Sequence, residues 1–409
     1  MKEILKLAWR NLWRNRRRTL ITAASIFFAI FFAIGMRSFQ LGSYDHMIKQ
    51  VIEAYTGYLQ VQQSDYLDDP GIDNVFEAKP ELLKQLEGDP NVKVAVPRIE
   101  SFALASTGTL SKGVMVTGIA PDKEGKLSGL GRQKLIKGRN LGVDDTGILL
   151  SERLSKYLKA GIGDTVVLMG QGYHGASAAD VFPVRGIVRL PSPDLDNKLI
   201  YMTIATASTF FGLSNQLTAI AINLNNTDGM KRTQKRLTKL INDNRLSVKN
   251  WEELNPVLKQ QIEEDNKSGQ IFLAVLYLII FFGIFGTVQM MISERQHEFG
   301  MMVAIGMKRK KLAEIILVEM LMLGFLGAIS GMMAIIPFIL WGYYDPFTMT
   351  GEMARMYTDI GFDPVMPMAW FDGYFFRQAG VVFLMVLLAS WLPVRSILKL
   401  NVIKALHGQ

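Results

Sequence analysis

The chain has 409 residues, of which 49% are hydrophobic, and its 45 Lys and Arg against 37 Asp and Glu give a formal net charge of +8. A mean hydropathy of +0.18 together with four long apolar runs argues against a soluble domain, and the absence of cysteine excludes disulfides and thiolate metal sites. The basic residues hug the apolar runs, which makes them a topology signal rather than a nucleic-acid footprint.

Residues 1–17 read as an amphipathic helix, with Leu5, Trp9, Leu12 and Trp13 on one face and Lys6, Arg10, Arg14 and Arg17 on another. Such a helix lies on anionic headgroups; simple anchoring of the topology is equally compatible. An apolar run over 20–36 follows, inside a first transmembrane helix over 18–42. It is longer than a signal-peptide core of about 7–15 residues and lacks a small-x-small cleavage site, so it reads as retained.

Residues 43–267 form the one large polar insert, and they read as mixed α and β. Tyr58–Gln62 alternates apolar and polar with period two, as do Val92, Val94 and Val96, while 113–118 and 165–169 read as further strands. Residues 149–158, 231–242 and 251–268 are helical in pattern, the last leading into the next span. A Gly- and Lys-rich stretch over 125–145 suggests a subdomain break.

Three more apolar runs lie at 269–292, 315–341 and 375–392, giving transmembrane helices over 268–293, 312–341 and 373–392, each close to the roughly 20 residues a bilayer requires. A charged segment 294–311, a loop 342–372 and a tail 393–409 separate and follow them. Glu319 sits inside the third span near its basic end, and Arg377 at the outer edge of the fourth. The N-terminus, 294–311 and the tail are basic, whereas 342–372 carries Asp345, Glu352, Asp359, Asp363 and Asp372 against Arg355. Basic short loops stay cytoplasmic, so both termini are expected in the cytosol and 43–267 outside it. The predicted fold class is an α-helical membrane protein with four transmembrane helices and a large mixed α/β extracytoplasmic domain between the first and second.

The search for catalytic chemistry is negative. No G-x-x-x-x-G-K-[ST] loop is present to cradle a nucleotide. His46, His174, His297 and His407 show no metal spacing, and Asp65, Asp68, Asp69 and Asp73 lack the order of a calcium loop. The Gly170–Gly175 stretch reads either as a binding loop or as a glycine-rich connector. No catalytic residue, resident metal or cofactor is expected in this chain.

The charged segment 294–311 is the most informative. Phe299, Met302, Val303 and Gly306 recur at i, i+3, i+4 and i+7 and make one apolar stripe, with Glu294, Arg295 and Glu298 at its start and Lys308, Arg309, Lys310 and Lys311 at its end. It reads either as a membrane-surface connector or as a docking helix for a cytosolic partner, with Gly306 allowing close backbone approach. Gly327-x-x-x-Gly331, preceded by Gly324, permits close helix packing in the third span. Phe27, Phe28, Phe31 and Phe32 in the first span and Phe281, Phe282 and Phe285 in the second either line a cavity for acyl chains or face lipid.

Glu294-Arg295-x-x-Glu298-Phe299-Gly300 followed by Ala304-Ile305-Gly306-Met307 resembles the "E-R-x-x-E-I-G-x-x-x-A-I-G-A" signature of ABC transporter permeases in the superfamily joining lipoprotein-release permeases, MacB-type macrolide exporters and FtsX. Residues 8–16 are similar to its "A-x-R-N-L-x-R-N" start, residues 148–166 to its "L-x-x-G-D-x-V" segment, and Pro393-Val394-Arg395 with Lys404-Ala405-Leu406 to its closing motif. Phe299 replaces the usual Ile, and Asn401-Val402 stands where Asp-Pro is common. The resemblance implies a non-enzymatic permease that pairs with a second copy or a paralogue and docks two copies of a P-loop ATPase. ATP and Mg would then belong to that partner. It implies docking through Glu294, Arg295, Glu298, Phe299, Met302, Ala304, Ile305 and Gly306, contact with membrane lipid, and an inner-membrane location with a periplasmic domain. Lipoprotein extraction, with lipoproteins and a periplasmic carrier or adaptor as further partners, is the expected work; drug or peptide export and FtsX-like signalling are the alternatives.

Overall fold

In the computed structural model the described residues are 2–14, 16–130, 134–359 and 364–399. The motif residues Asn15, Asn401, Val402, Lys404, Ala405 and Leu406, with Asp363 and His407, lie outside them. The chain divides into two compact units, Met1–Asp45, Gln261–Thr348 and Val365–Gln409 in one, His46–Gln260 and Met349–Pro364 in the other.

The first unit is helical. After an N-terminal helix, Lys2–Arg14, come Arg16–Ile48, Pro256–Glu294, Arg309–Tyr344 and Gly373–Leu398; each contains a stretch long and apolar enough to cross a membrane. The helices outrun the apolar stretches. The 39 residues of Pro256–Glu294 amount to about 58 Å at 1.5 Å per residue, about twice a hydrocarbon core of roughly 30 Å. The third span is the centre of the bundle, with 56% of its apolar window buried against 17% for the second. Its glycines explain why. A Cβ on Gly327 would meet Ile26 at 2.7 Å and one on Gly331 the Phe27 carbonyl at 2.8 Å, so both lie against the first span, while Gly324 lies against Val386 and Phe383 of the fourth.

The second unit is built on a ten-stranded sheet. Its strands are β1 (Leu59–Gln63), β2 (Val92–Ser106), β3 (Ser111–Ile119), β4 (Leu135–Gly138), β5 (Ile148–Ser151), β6 (Thr165–Gln171), β7 (Ser177–Val188), β8 (Leu199–Thr203), β9 (Ala219–Leu224) and β10 (Leu246–Asn250). The 15-residue β2 pairs with β9 along its first half and with β3 and β6 along its second. The pairings β2-β3-β8-β5-β7-β6-β2 therefore close on themselves. Ala103, Ala105, Val114, Val116, Leu150, Val166, Leu168, Phe182, Val184 and Ile200 fill the core of this ring.

Several expectations change. The alternation over Tyr58–Gln62 marks β1, which lies between β9 and β10 with Gln60 and Gln62 buried along with Leu59 and Val61. The helix expected over 251–268 is broken at Asn255, after a Trp251–Leu254 turn held by an Asn250–Glu253 capping box. The suspected break at 125–145 is none: β4 pairs with β7 in the same sheet. Residues 342–372 are more than a loop, because Phe347–Thr348 pairs with Val365–Met366 and encloses a helix, Gly351–Asp359, that belongs to the second unit. Gly170–Gly175 is the tight β6–β7 turn, its His174 amide donating to Asp73 at 2.7 Å.

The second unit also buries an ion cluster. Arg98, fully buried, donates to Glu124 at 2.6 and 3.1 Å and to the Tyr55 carbonyl at 2.5 Å, and lies 3.4 Å from Glu100. Burial opposes its charge, yet Glu124 and Glu100 outweigh burial and raise its pKa further above the ordinary arginine value. Tyr55 closes a short π-helical turn, Lys49–Thr56, that continues directly from the first span, so Arg98 ties that helix end to the sheet.

Two outcomes follow. Arg98→Met strands Glu124 without its cation and should cost about 3–5 kcal/mol, read as a lower thermal midpoint of the detergent-solubilised chain; Arg98→Met with Glu124→Leu should recover part of that loss. Gly331→Leu should lower the midpoint too, whereas Gly380→Leu, where an added Cβ meets nothing within 4 Å, should leave it in place.

Candidate functional site

The segment after the second span folds as a short helix, Gln296–Ala304, set off from Pro256–Glu294 by a turn at Arg295. Its end explains the Ala304-Ile305-Gly306-Met307 unit. The Met307 amide donates to the Met302 carbonyl and the Gly306 amide to that of Val303, both at 3.0 Å. This is the Schellman pattern, which requires a left-handed residue after the helix, and Gly306 supplies it with φ 107°. A Cβ there would meet none of the chain's own atoms within 4 Å, so within the chain the glycine serves the turn.

The apolar stripe points inward. Phe299 is 1% exposed and packs in the core of the span bundle, with Met302, Val303 and Met307 against it. Arg295 is likewise buried: it donates to both oxygens of Glu319 at 2.9 and 3.0 Å and lies over the Phe299 ring at 5.2 Å. Glu319 is 2% exposed, so the acid inside the third span holds the turn that starts the short helix. Of the eight residues expected to form a docking surface, Arg295 and Phe299 are thus committed inside the chain and Met302 is half-buried. Glu294, Ala304, Ile305 and Gly306 are exposed, Ile305 at 88%. Met301, which sequence reasoning omitted, is exposed beside them, and Lys308 to Lys311 follow.

Glu298 faces the other way along the surface and accepts from Arg14 of the N-terminal helix. That helix buries Ala8 and Leu12 and leaves Leu5, Trp9 and Trp13 exposed, the two indoles packed edge-to-face at 5.8 Å. Leu12 therefore leaves the exposed apolar face to which its spacing assigned it. A polar cavity of about 250 Å³ opens between Asn11, Arg14, Thr19, Glu294, Arg295, Glu298 and Glu319.

The phenylalanines predicted to line an acyl cavity form two sets. Phe28 stacks on Phe32, and Phe31 on Phe27 and against Phe338, while Phe281 contacts Phe282 and Phe285. Among the described ring contacts none joins the first-span set to the second-span set. Phe28, Phe32 and Phe282 are more than half exposed.

Sequence comparison covers nearly the whole chain. Residues 19–240 match the MacB-like periplasmic core domain, and 270–402 match the FtsX-like permease C-terminal domain. The lipoprotein-releasing system transmembrane protein LolE of Haemophilus influenzae is 22% identical over 338 residues, 80% of this chain and 79% of that protein. LolC of Neisseria meningitidis is 22% identical over 64% of each chain. The macrolide export ATP-binding/permease protein MacB of Agrobacterium fabrum is 20% identical over 81% of this chain but 52% of its own length. Among solved structures, the periplasmic region of MacB from Actinobacillus actinomycetemcomitans is similar over 53% of this chain at 19% identity and a TM-score of 0.36. The extracellular domain of YknZ from Gram-positive bacteria is similar over 47% at 18% and 0.34. The chain belongs to the MacB/FtsX/lipoprotein-release superfamily of ABC transporter permeases.

Proposed function

We propose that this permease docks a separate P-loop ATPase through the exposed tip of the short helix and uses it to move lipoproteins out of the inner membrane. The observation that carries the docking is a combination of exposure and fixity. Ile305 is an almost fully exposed aliphatic side chain on a turn locked from behind by the Schellman bonds and by the buried Arg295–Glu319 pair. A flexible linker has no need of either lock, and a buried linker would not present isoleucine outward. Met301, Ala304 and Ile305 form the apolar contact, and Lys308 to Lys311 supply a basic rim complementary to an acidic cleft edge. ATP and Mg then belong to the docked partner, and the permease works as a pair, either of identical chains or with a paralogue.

The topology belongs to the same proposal. The basic N-terminus, short-helix segment and tail stay in the cytosol, and the α/β unit between the first and second spans faces the periplasm. Lipoprotein release is the reading supported by the likeness to LolE and LolC, each at 22% identity; the likeness to MacB covers as much of this chain, 81%, and keeps export as the alternative. Phe28, Phe32 and Phe282, more than half exposed at membrane depth, are the side chains available to acyl chains.

Ile305→Asp should cut copurification of the ATPase by about tenfold or more, as loss of a central apolar anchor costs 2 kcal/mol or more, without changing the thermal midpoint. Phe299→Ala, by contrast, should lower the midpoint first, by about 3–5 kcal/mol of core packing. Retained ATPase in a folded Ile305→Asp preparation refutes the docking surface. Mass spectrometry of what the wild type retains separates lipoproteins from an export adaptor or an envelope hydrolase, and a cytosolic signal from a reporter placed within 60–250 refutes the topology.

A further inference from the structure

The polar cavity beside the short helix is larger than the contacts within it need. Its volume of about 250 Å³ leaves room for several waters at about 30 Å³ each, and so for a compact polar group. Arg14, Arg295, Glu294, Glu298 and Glu319 line it together with Thr19. Three spans fix its level in the bilayer. Thr19 immediately precedes the apolar run 20–36, Glu294 stands two residues after the run 269–292, and Glu319 is four residues into the run 315–341. Four residues of helix amount to about 6 Å, so the cavity lies at the edge of the hydrocarbon layer, where headgroups begin. Trp9 and Trp13, exposed on the N-terminal helix that carries Arg14, are side chains typical of that level.

Inside the cavity the chain leaves a donor without an acceptor. The Arg295 side chain is 10% exposed, and its Nε has no hydrogen-bond partner among the described residues. One terminal nitrogen of the same guanidinium serves both oxygens of Glu319, at 2.9 and 3.0 Å. Glu298 Oε2 stands 3.5 Å from Nε, too far for a good hydrogen bond, while it accepts from Arg14. An enclosed donor of this kind is costly until an acceptor reaches it. Two guanidiniums and three carboxylates thus share one space. A plain anion would face three acids, and a plain cation would face two guanidiniums. A group carrying both charges finds a complement for each.

We infer that this cavity holds the headgroup of an aminophospholipid, its phosphate between Arg295 Nε and Arg14 and its primary ammonium on Glu294 and Glu298. Guanidiniums match phosphate oxygens in charge and geometry. Once phosphate takes the place of Glu298 on Arg14, that carboxylate accepts from the ammonium, and every charged group lining the cavity has an opposite partner. The pair given up is exposed on both sides and screened by water. Soluble phosphoethanolamine carries the same charges, but the level of the cavity selects the lipid. The site depends neither on ATPase docking nor on which side of the membrane this end faces.

Native mass spectrometry of the full chain, released from detergent with phosphatidylethanolamine, phosphatidylglycerol or phosphoethanolamine, tests it. The wild type should retain phosphatidylethanolamine about tenfold over either of the others. Arg14→Gln should cut that retention about tenfold, the loss of one hydrogen bond to a charged group, and should keep the wild-type thermal midpoint because Arg14 is exposed. Glu294→Gln with Glu298→Gln should erase the preference for phosphatidylethanolamine over phosphatidylglycerol. Equal retention of phosphatidylethanolamine by wild type and Arg14→Gln overturns the site. Equal retention of the two lipids by the wild type, or a preference that survives the double substitution, overturns the place of the ammonium in it. Phosphoethanolamine retained as well as the lipid overturns the lipid as the ligand.

Discussion

The buried contact between Arg295 and Glu319 is the constraint on which the short-helix end of the bundle depends. A carboxylate enclosed in an apolar helix is tolerated only with a cation at hydrogen-bond distance. Glu319 is 2% exposed within the third span near its basic end, so its partner must reach into the bundle. Arg295 does so from the turn that ends the second span. That single requirement fixes where the chain leaves the second span, which side of the short helix faces inward, and which residues are left at its tip. Phe299 follows into the core beneath the guanidinium, and Ile305 is consequently turned out.

The same logic orders the rest of the helical unit. The third span touches its neighbours through glycines, so its backbone runs close to the first span at Gly327 and Gly331 and to the fourth at Gly324. Without a hydrophobic drive between helices in lipid, such contacts depend on shape. The second span has little of this packing and is held at its two ends, by Arg295 at one and by the Arg37, Gln40, Tyr44, Asp265 and Asn266 hydrogen bonds at the other. Gly269 permits the latter, because any side chain there would collide with the Gln40 amide.

Hydropathy made the spans legible, since runs of about 20 apolar residues have few other readings. It did not make the helix lengths legible: polar residues such as Arg37, Gln40 and Asn266 continue the helices by bonding to one another, and a hydropathy window sees only their charge. The period of the short helix identified Phe299, Met302 and Val303 as one face but not its direction, because a stripe facing a partner and one facing the core have the same spacing. Glu319 was the available signal. An acid in an apolar span implies a nearby cation, and Arg295 is the arginine at the matching depth. Gly306 was read for its size, and its positive φ, which sets the turn, was not visible in the spacing. In the α/β unit, the alternation of Gln60 and Gln62 marked a strand, while the burial of both glutamines follows from pairing on both edges, which is a long-range fact. The Arg98 cluster brings Tyr55 and Glu124, 43 and 26 positions away, to Arg98 and its near neighbour Glu100, and no local pattern announces it.

Two ion pairs meet at the short helix, and their surroundings give them different capacities. Arg14 and Glu298 are each about half exposed, so their attraction is screened and worth about 0–1 kcal/mol. Arg295 and Glu319 are almost enclosed, and separating them strands a buried charge at a cost of about 3–5 kcal/mol. Glu298 can therefore leave Arg14 for little free energy, while the turn it is mounted on is held firmly. Arg14 belongs to a helix that leaves Trp9 and Trp13 exposed beside it. The weak pair is the adjustable contact, and the strong pair is what gives the adjustment a fixed frame.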